Sequence, residues 1–291
     1  MPAIDYASLK KGGFMRQRPV EYFSLRLGIT GGHVTAEQLA VITEVSKKYG
    51  RGWIHLTSRQ GIEIPYIEYD DIDAVKEELS RGGVFPGASG PRVRTITACQ
   101  GNAVCGNACI DTQSIACILH ERYYGQDLPH KFKMGVTGCP NNCLKAEEND
   151  LGIKGGIRPE WIGEGCVHCG KCAKSCRRGA ITDADGKIIV DRDKCVSCGK
   201  CARVCPAGAF EAQEGYCVYF GGLFGNTINR GEALLPFITD REALLRVCDA
   251  AISFFRENAQ PGERFKFTID RVGIDALRSK LTEALEENSP A

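Results

Sequence analysis

"GVTGCPNNCLKAEENDLGIKG", residues 135–155, sets Cys139 and Cys143 on either side of a Pro-Asn-Asn turn, between two strand-like runs. Thiols four positions apart read as half of a ligand set, and the chain has sixteen cysteines with which to complete it. Working outward, Cys99 and Cys105 form C-x5-C upstream. Downstream, Cys166, Cys169, Cys172 and Cys176 form C-x2-C-x2-C-x3-C, and Cys195, Cys198, Cys201 and Cys205 repeat it. Cys109, Cys117, Cys217 and Cys248 stay outside these sets and are expected to be buried spectators.

So many cysteines would indicate disulfides in a small secreted domain. In a chain of 291 residues with no apolar run at its start long enough for a signal peptide, they indicate metal or redox chemistry. No stretch approaches the roughly 18 apolar residues of a membrane span, and the expectation is a cytoplasmic protein. The net charge of +1 leaves no polyanion footprint, so neither nucleic acid nor an anionic membrane is an expected partner.

Up to residue 88 the pattern is β-α-β-β-α. "YFSLRLGIT" (22–30) reads as a strand, and 35–50 as a helix capped by Thr35 with Glu37 in its first turn. Residues 52–67 read as two strands across a turn, and 70–83 as a capped helix. "VFPGASGPR" (84–92) is a linker. Strands follow at "RVRTITAC" and "KFKMGVTGC", with a helix at "DTQSIACILHERYY" between them and a strand with a glycine break at "DLGIKGGI". Over 159–213 the cysteine runs surround "DADGKIIVD", a hairpin. Then α/β patterning resumes with "GYCVYFGGLFG", a helix over 239–259 capped by Thr239, and a last helix over 273–286. The reading is an α+β fold in three parts: 1–88, a ferredoxin-like half; 89–158 with 214–291, a second half; and 159–213, an insertion.

Each C-x2-C-x2-C-x3-C run suits a [4Fe–4S] cube, with its fourth cysteine reaching across to the other cube. That rule groups Cys166, Cys169, Cys172 and Cys205, and separately Cys195, Cys198, Cys201 and Cys176. Gly170 and Gly199 let the backbone turn tightly. Pro206 follows Cys205 as in bacterial ferredoxins, whereas Arg177 stands where the first run would have its proline. Zinc, which pairs two short knuckles over a longer gap, fits two complete runs poorly. Cys99, Cys105, Cys139 and Cys143 suit a third cube.

"TACQGNAVC…TGCPNNC" resembles the sirohaem- and [4Fe–4S]-binding signature of the sulfite and nitrite reductases. "RLGITGGHVTAEQL", "IHLTSRQGIEI", "LPHKFKMGV" and the late "GYCVYFGGLFG" resemble other segments of that family, so the likeness covers most of the chain. With its inserted two-cluster ferredoxin, the chain is most similar to the sirohaem subunits of anaerobic and dissimilatory sulfite reductases. The resemblance implies their α/β sandwich, with a ferredoxin-like half and a sirohaem-binding half. It implies three [4Fe–4S] clusters and a sirohaem whose iron Cys143 bridges to one of them. It implies cationic residues around the anion, Arg26, Arg59, Lys131 and Lys133, and cofactor contacts from Asn141, Asn142, His55 and Thr57. Asn141 and Asn142 also suit a helix cap, and His55 a proton relay or a satisfied core position. Arg16 and Arg18 suit either cofactor carboxylates or exposed charge.

Elementary chemistry points the same way. A sulfite dianion that loses its oxygens as water needs fixed cations and proton donors, which arginine forks and lysine ammonium groups supply. Lys131 and Lys133, at i and i+2, share one side of a strand. The implied activity is six-electron reduction of sulfite to sulfide. Nitrite reduction to ammonia, or an electron-relay subunit without sirohaem, are the alternatives, with a zinc-stabilised scaffold a remote third. No Gly-x-Gly-x-x-Gly follows a strand, so a ferredoxin or flavoprotein donor is implied. Larger family members carry two copies of the repeat where this chain carries one. A homodimer or pairing with a related subunit would restore the arrangement, and a monomer also fits.

Overall fold

A computed structural model of the chain describes residues 4–18, 21–184 and 186–287. Residues 1–3 and 19–20 of the ferredoxin-like half, Asp185 of the expected hairpin and 288–291 at the end of the second half lie outside them.

The chain begins with elements the pattern did not suggest: helix α1 (Tyr6–Lys11), capped by the Asp5 carboxylate, and strand β1 (Phe14–Arg16). Then come β2 (Tyr22–Arg26), α2 (Ala36–Tyr49), β3 (His55–Leu56), β4 (Ile62–Glu68) and α3 (Ile72–Arg81). The strands form one antiparallel sheet in the order β1-β2-β4-β3. Its apolar side packs on α2 and α3 through Phe23, Leu25, Ile42, Val45, Ile64 and Val75, all at most 1% exposed. Thr35 caps α2 as expected, but the reciprocal bond of its capping box comes from Gln38, the third helical residue, with Glu37 one position too early. A 3-10 turn over Tyr69–Asp71 leads into α3, whose N-cap Asp71 makes no side-chain bond.

The second half holds β5 (Thr97–Ala98), α4 (Thr112–Tyr123), β6 (Met134–Thr137) and β7 (Leu151–Trp161). Between β7 and a later strand lie α5 (Lys171–Ser175), the hairpin β8 (Ile181–Ala184) and β9 (Lys187–Val190), and α6 (Lys200–Val204). Then follow β10 (Phe210–Phe220), β11 (Glu232–Ala233), α7 (Arg241–Asn258), α8 (Phe265–Val272) and α9 (Ile274–Glu286). Five strands make a mixed sheet, β11-β10-β7-β6-β5, parallel from β5 to β7 and antiparallel beyond. Residues on both sides of the cysteine-rich segment share a single core: Phe132, Val136 and Ile153 from before it, Val218, Phe255 and Phe265 from after it. The segment has a small core of its own, in which Cys172 and Cys201 pack with Ile181, Ile188 and Phe210. The β7–β10 ladder continues to Trp161 opposite Phe210, so the paired strands reach into both ends of the 159–213 stretch.

One helix cap and one additional helix differ from the sequence reading. Asp240, not Thr239, caps α7, its carboxylate accepting from the Ala243 N–H. The helix expected over 273–286 is present as α9; α8 before it was not anticipated, and the two are parted at Gly273, whose φ of 109° no helix accommodates.

The glycines of "DLGIKGGI" do not break a strand; β7 runs through them. They are close-approach points. A Cβ at Gly152 would lie 2.2 Å from the Ala146 carbonyl oxygen, and one at Gly155 2.8 Å from that of Gly138. Because the obstacle at Gly152 is backbone rather than a movable side chain, Gly152→Ala is expected to destabilise the chain by about 1–3 kcal/mol. Denaturant unfolding of the two proteins measures it.

Candidate functional site

The loop "TSRQ" joins the two halves. Thr57 closes it into a tight turn, its N–H donating to the Gly61 carbonyl and its hydroxyl accepting from the Gly61 N–H at 2.9 Å. Gln60, with φ of 57°, then meets the backbone of Ala98 through both ends of its amide, at 2.8 and 3.0 Å. Arg59 donates to Asn149 Oδ1 at 2.7 Å and to the Thr95 carbonyl at 3.1 Å. Asn149 in turn donates to the Lys145 and Ala146 carbonyls, in the turn that follows Cys143.

These contacts close a cavity of about 310 Å³ lined by Arg26, Thr57, Arg59, Arg94, Lys131 and Lys133. All four cations expected from the sequence are therefore brought together. Lys131 and Lys133 face it because Phe132, between them, is fully buried against Phe255 and Phe265. Arg26 arrives already paired, its guanidinium on Glu63 across the β2–β4 ladder at 2.5 Å. Arg94 was missed. It lies in the run before Cys99 as Lys133 lies in the run before Cys139, and that parallel was the available signal.

So many cations in partial burial disfavour their own charge. Burial, then Arg59, Arg264 and Lys131, push the Lys133 ammonium down to about 8, with Asp150 opposing. Burial, Arg264 and Arg94 lower Lys131, and burial with the neighbouring arginines takes Arg59 to about 10. The counter-charge beneath them is Asp150, fully buried, which accepts from Arg264 Nη2 at 2.9 Å and from the Lys133 N–H at 2.8 Å. Two donors stay unsatisfied: Arg94 Nε and Arg264 Nε are buried without a hydrogen-bond partner among the described residues. Unsatisfied buried donors are rare. Beside a cation-lined cavity they fit an anionic ligand or the carboxylates of a cofactor.

The thiols form three groups. Burial holds the Cys139 thiol above its ordinary value, and the neighbouring thiols of Cys105, Cys143 and Cys99 add to this. The Asn141 N–H partly offsets the shift, and Cys99 Sγ accepts from the Gly138 N–H at 3.1 Å. Cys105 and Cys143 are exposed. Cys166, Cys169, Cys172 and Cys205 line one cavity, and Cys176, Cys195, Cys198 and Cys201 line another, the grouping expected from the crossing rule. The two runs repeat in detail. His168 and Ser197 both have left-handed backbone, Gly170 and Gly199 follow suit with φ of 69° and 64°, and Cys176 and Cys205 each accept a backbone N–H four residues on. Among the described residues no three His, Cys, Asp or Glu side chains converge as a single-ion site. The quartets stand around spaces instead. Crowded thiols, one in each quartet (Cys139, Cys172 and Cys201) with proton affinity raised by burial, and inward N–H donors fit a polynuclear group that displaces their protons.

Asn142, also left-handed, accepts from the Ala146 N–H at 2.8 Å, so its side chain serves as a cap. Asn141 is exposed. His55 is exposed too, which removes the core reading, because a two-residue strand at the sheet edge leaves both His55 and Leu56 uncovered. Arg16 lies in β1, exposed, over the Tyr6 ring, and Arg18 is exposed. Of the leftover cysteines, Cys109 and Cys248 are buried and Cys217 is partly so. Cys117 is exposed, on the side of α4 away from Ile115, Ala116 and Leu119. No described helix is long and apolar enough to cross a membrane.

A ferredoxin-like half bolted to a mixed sheet, with thiolate groups beside a cationic cavity, defines an oxidoreductase of the iron–sulfur type. The chain belongs to the nitrite and sulfite reductase family. Residues 15–81 match its ferredoxin-like half domain, and 89–289 match the nitrite and sulphite reductase 4Fe-4S domain. An uncharacterised protein of Methanocaldococcus jannaschii is 33% identical over 279 residues, 96% of this chain and 97% of that one. The coenzyme F420-dependent sulfite reductase of the same organism is 31% identical over 97% of this chain, which spans 46% of that protein's length. A crystal structure of dissimilatory sulfite reductase I shares the fold, with a TM-score of 0.73 at 23% identity over 91% of this chain and 70% of that one.

The cavity's charge balance rests on Asp150. Asp150→Asn leaves Arg264 buried without a counter-charge, a change expected to cost about 3–5 kcal/mol. Thermal and denaturant unfolding check it, and the loss should exceed that from removing the exposed Asp73 carboxylate of the Lys76 pair.

Proposed function

We propose that this chain is a sirohaem-dependent reductase, or the catalytic subunit of one, that takes sulfite to sulfide with six electrons. The observation that carries the reading is the cavity of five cations in which the buried Arg94 Nε has no partner among the described residues. Family membership and sulfite reductase relatives support it. The Cys99, Cys105, Cys139 and Cys143 quartet would hold one [4Fe–4S] cube, with exposed Cys143 the thiolate shared with sirohaem. The quartets of the 159–213 insertion would hold two more in a ferredoxin-type domain. Sirohaem, when bound, would supply electrons to the anion.

The chain's own residues supply binding and protons. Arg59 and Arg94 offer planar forks to the anion's oxygens. Arg59 is held in place by Asn149 and Thr95, so its donors are preorganised. Lys131 and Lys133 give protons to oxygens that leave as water, and Lys133, at about 8, is a better acid than an ordinary lysine. Arg26, shared with Glu63, orients more than it neutralises. A ferredoxin or flavoprotein would donate the electrons, and a second copy or a related subunit would complete the enclosure.

The deciding measurement is an absorption spectrum with iron and sulfide determination on anaerobically purified protein. Sirohaem bands with about thirteen irons per chain, three cubes and one haem iron, are expected. About twelve irons or fewer, without those bands even after sirohaem is supplied, would leave an electron-relay subunit. Relative turnover of sulfite and nitrite with a reduced viologen then identifies the anion, with sulfite expected to be preferred.

A pH dependence follows from Lys133. Its lowered value means the cation is present below about 8 and lost above it, so sulfite affinity should weaken as pH rises through that value. Lys133→Met should bind more weakly than wild type below about pH 8, and the two should converge above it. Spectral titration of both proteins, compared as a ratio, removes the anion's own ionisation.

A further inference from the structure

The two quartets of the insertion have different surroundings. Cys166, Cys169, Cys172 and Cys205 line a cavity walled by the insertion alone, with Val167, Ile188 and Phe210. Cys176, Cys195, Cys198 and Cys201 open on a cavity of about 590 Å³ whose far wall belongs to the host: Gly106, Asn107, Cys139, Pro140 and Asn141. This inner quartet is fastened there. The Ile157 N–H of β7 donates to the Ser197 carbonyl at 2.6 Å, in a bridge that pairs Ile157 with Cys198. Gly156 lies under the same loop, where a Cβ would come within 3.0 Å of the Ser197 oxygen.

Arg203, on α6, spans the gap between inner and host quartets. Its Nη2 donates to the carbonyl of Cys198 at 2.6 Å, and its Nη1 to the carbonyl of Gly106, the residue after Cys105, at 3.2 Å. No carboxylate among the described residues pairs with it, so its charge is directed at these two carbonyls. That charge reaches the buried thiol of Cys109, which burial pushes up to about 11 and Arg203 draws back. One planar guanidinium can bond both carbonyls at once. A lysine, as a single point donor, matches the charge but not the fork.

We propose that Arg203 is a positioning residue that clasps the inner quartet to the loop bearing Cys105. It sets the separation of the two thiolate groups and holds a positive charge beside them. This rests on the reading of both quartets as cluster sites. It makes the inner quartet the insertion's junction with the host, and the quartet of Cys166, Cys169, Cys172 and Cys205 the outward one. A cation near a thiolate-bound cluster favours its more negative, reduced form, so removing it lowers the reduction potential.

The test uses the full chain, wild type, Arg203→Lys and Arg203→Met, purified anaerobically. Iron and sulfide are determined first, then a mediated dithionite titration is followed by electron paramagnetic resonance. Wild-type protein without iron in the insertion would refute the cluster reading itself, before Arg203 is tested. With iron equal in all three, Arg203→Met should shift one cluster's midpoint to more negative potential and weaken the spin–spin broadening between clusters. Arg203→Lys should restore the potential but not the broadening. Superimposable midpoints and line shapes in all three would overturn the proposal. Should Arg203→Met lose iron, the comparison of wild type with Arg203→Lys decides it by broadening alone.

Discussion

Backbone must approach backbone along β7, and the rest of the site depends on that constraint. Its glycines are spaced so that three different segments come to rest on one strand. At Gly152 the turn after Cys143 packs against it; at Gly155, the Gly138 loop that leads to Cys139; at Gly156, the Ser197 loop of the insertion. A strand held between β6 and β10 is a rigid ruler. Setting both the host quartet and the inner quartet against it fixes their mutual position more firmly than loops alone would.

The cationic cavity is held together against its own repulsion. Five cations face a space bounded by two halves of the chain, and the compensation lies beneath and beside them: Asp150 under Lys133, Glu63 on Arg26, Asn149 and the Thr95 carbonyl on Arg59. Arg59, Arg94, Lys131 and Lys133 have lowered proton affinity as a result, and Arg94 and Arg264 hold donors without partners among the described residues. Such a site fits the anion proposed for it.

Much of this was legible in the residues. Cap chemistry at Thr35, alternation along "YFSLR", and the cysteine runs each act over a few residues, so local spacing reports them. Lys131 and Lys133 were legible because alternation about Phe132 puts both on one side. What failed had a non-local cause. Arg264 earns its place only through Asp150, far away in sequence. Arg26 reads as a free cation until β4 brings Glu63 opposite. Helix α8 was hidden because Phe265, Phe267 and Ile269 alternate with a strand's period, and packing of Phe265 against Phe132 and Phe255 overrides that pattern. The glycines of β7 read as a break because their neighbours are brought in by the fold.

By itself, then, the sequence determined the α+β class and most of the order of elements, and it pointed to the grouping of the cysteines and to four of the five cations, since each is set by spacing within one segment. The tertiary structure alone decided that Glu63 and Asp150 divide the counter-charge, and which quartet of the cysteine-rich segment faces the rest of the second half. Those are contacts between segments distant along the chain, created when β7 gathers them, and no local pattern encodes a distance that only packing defines.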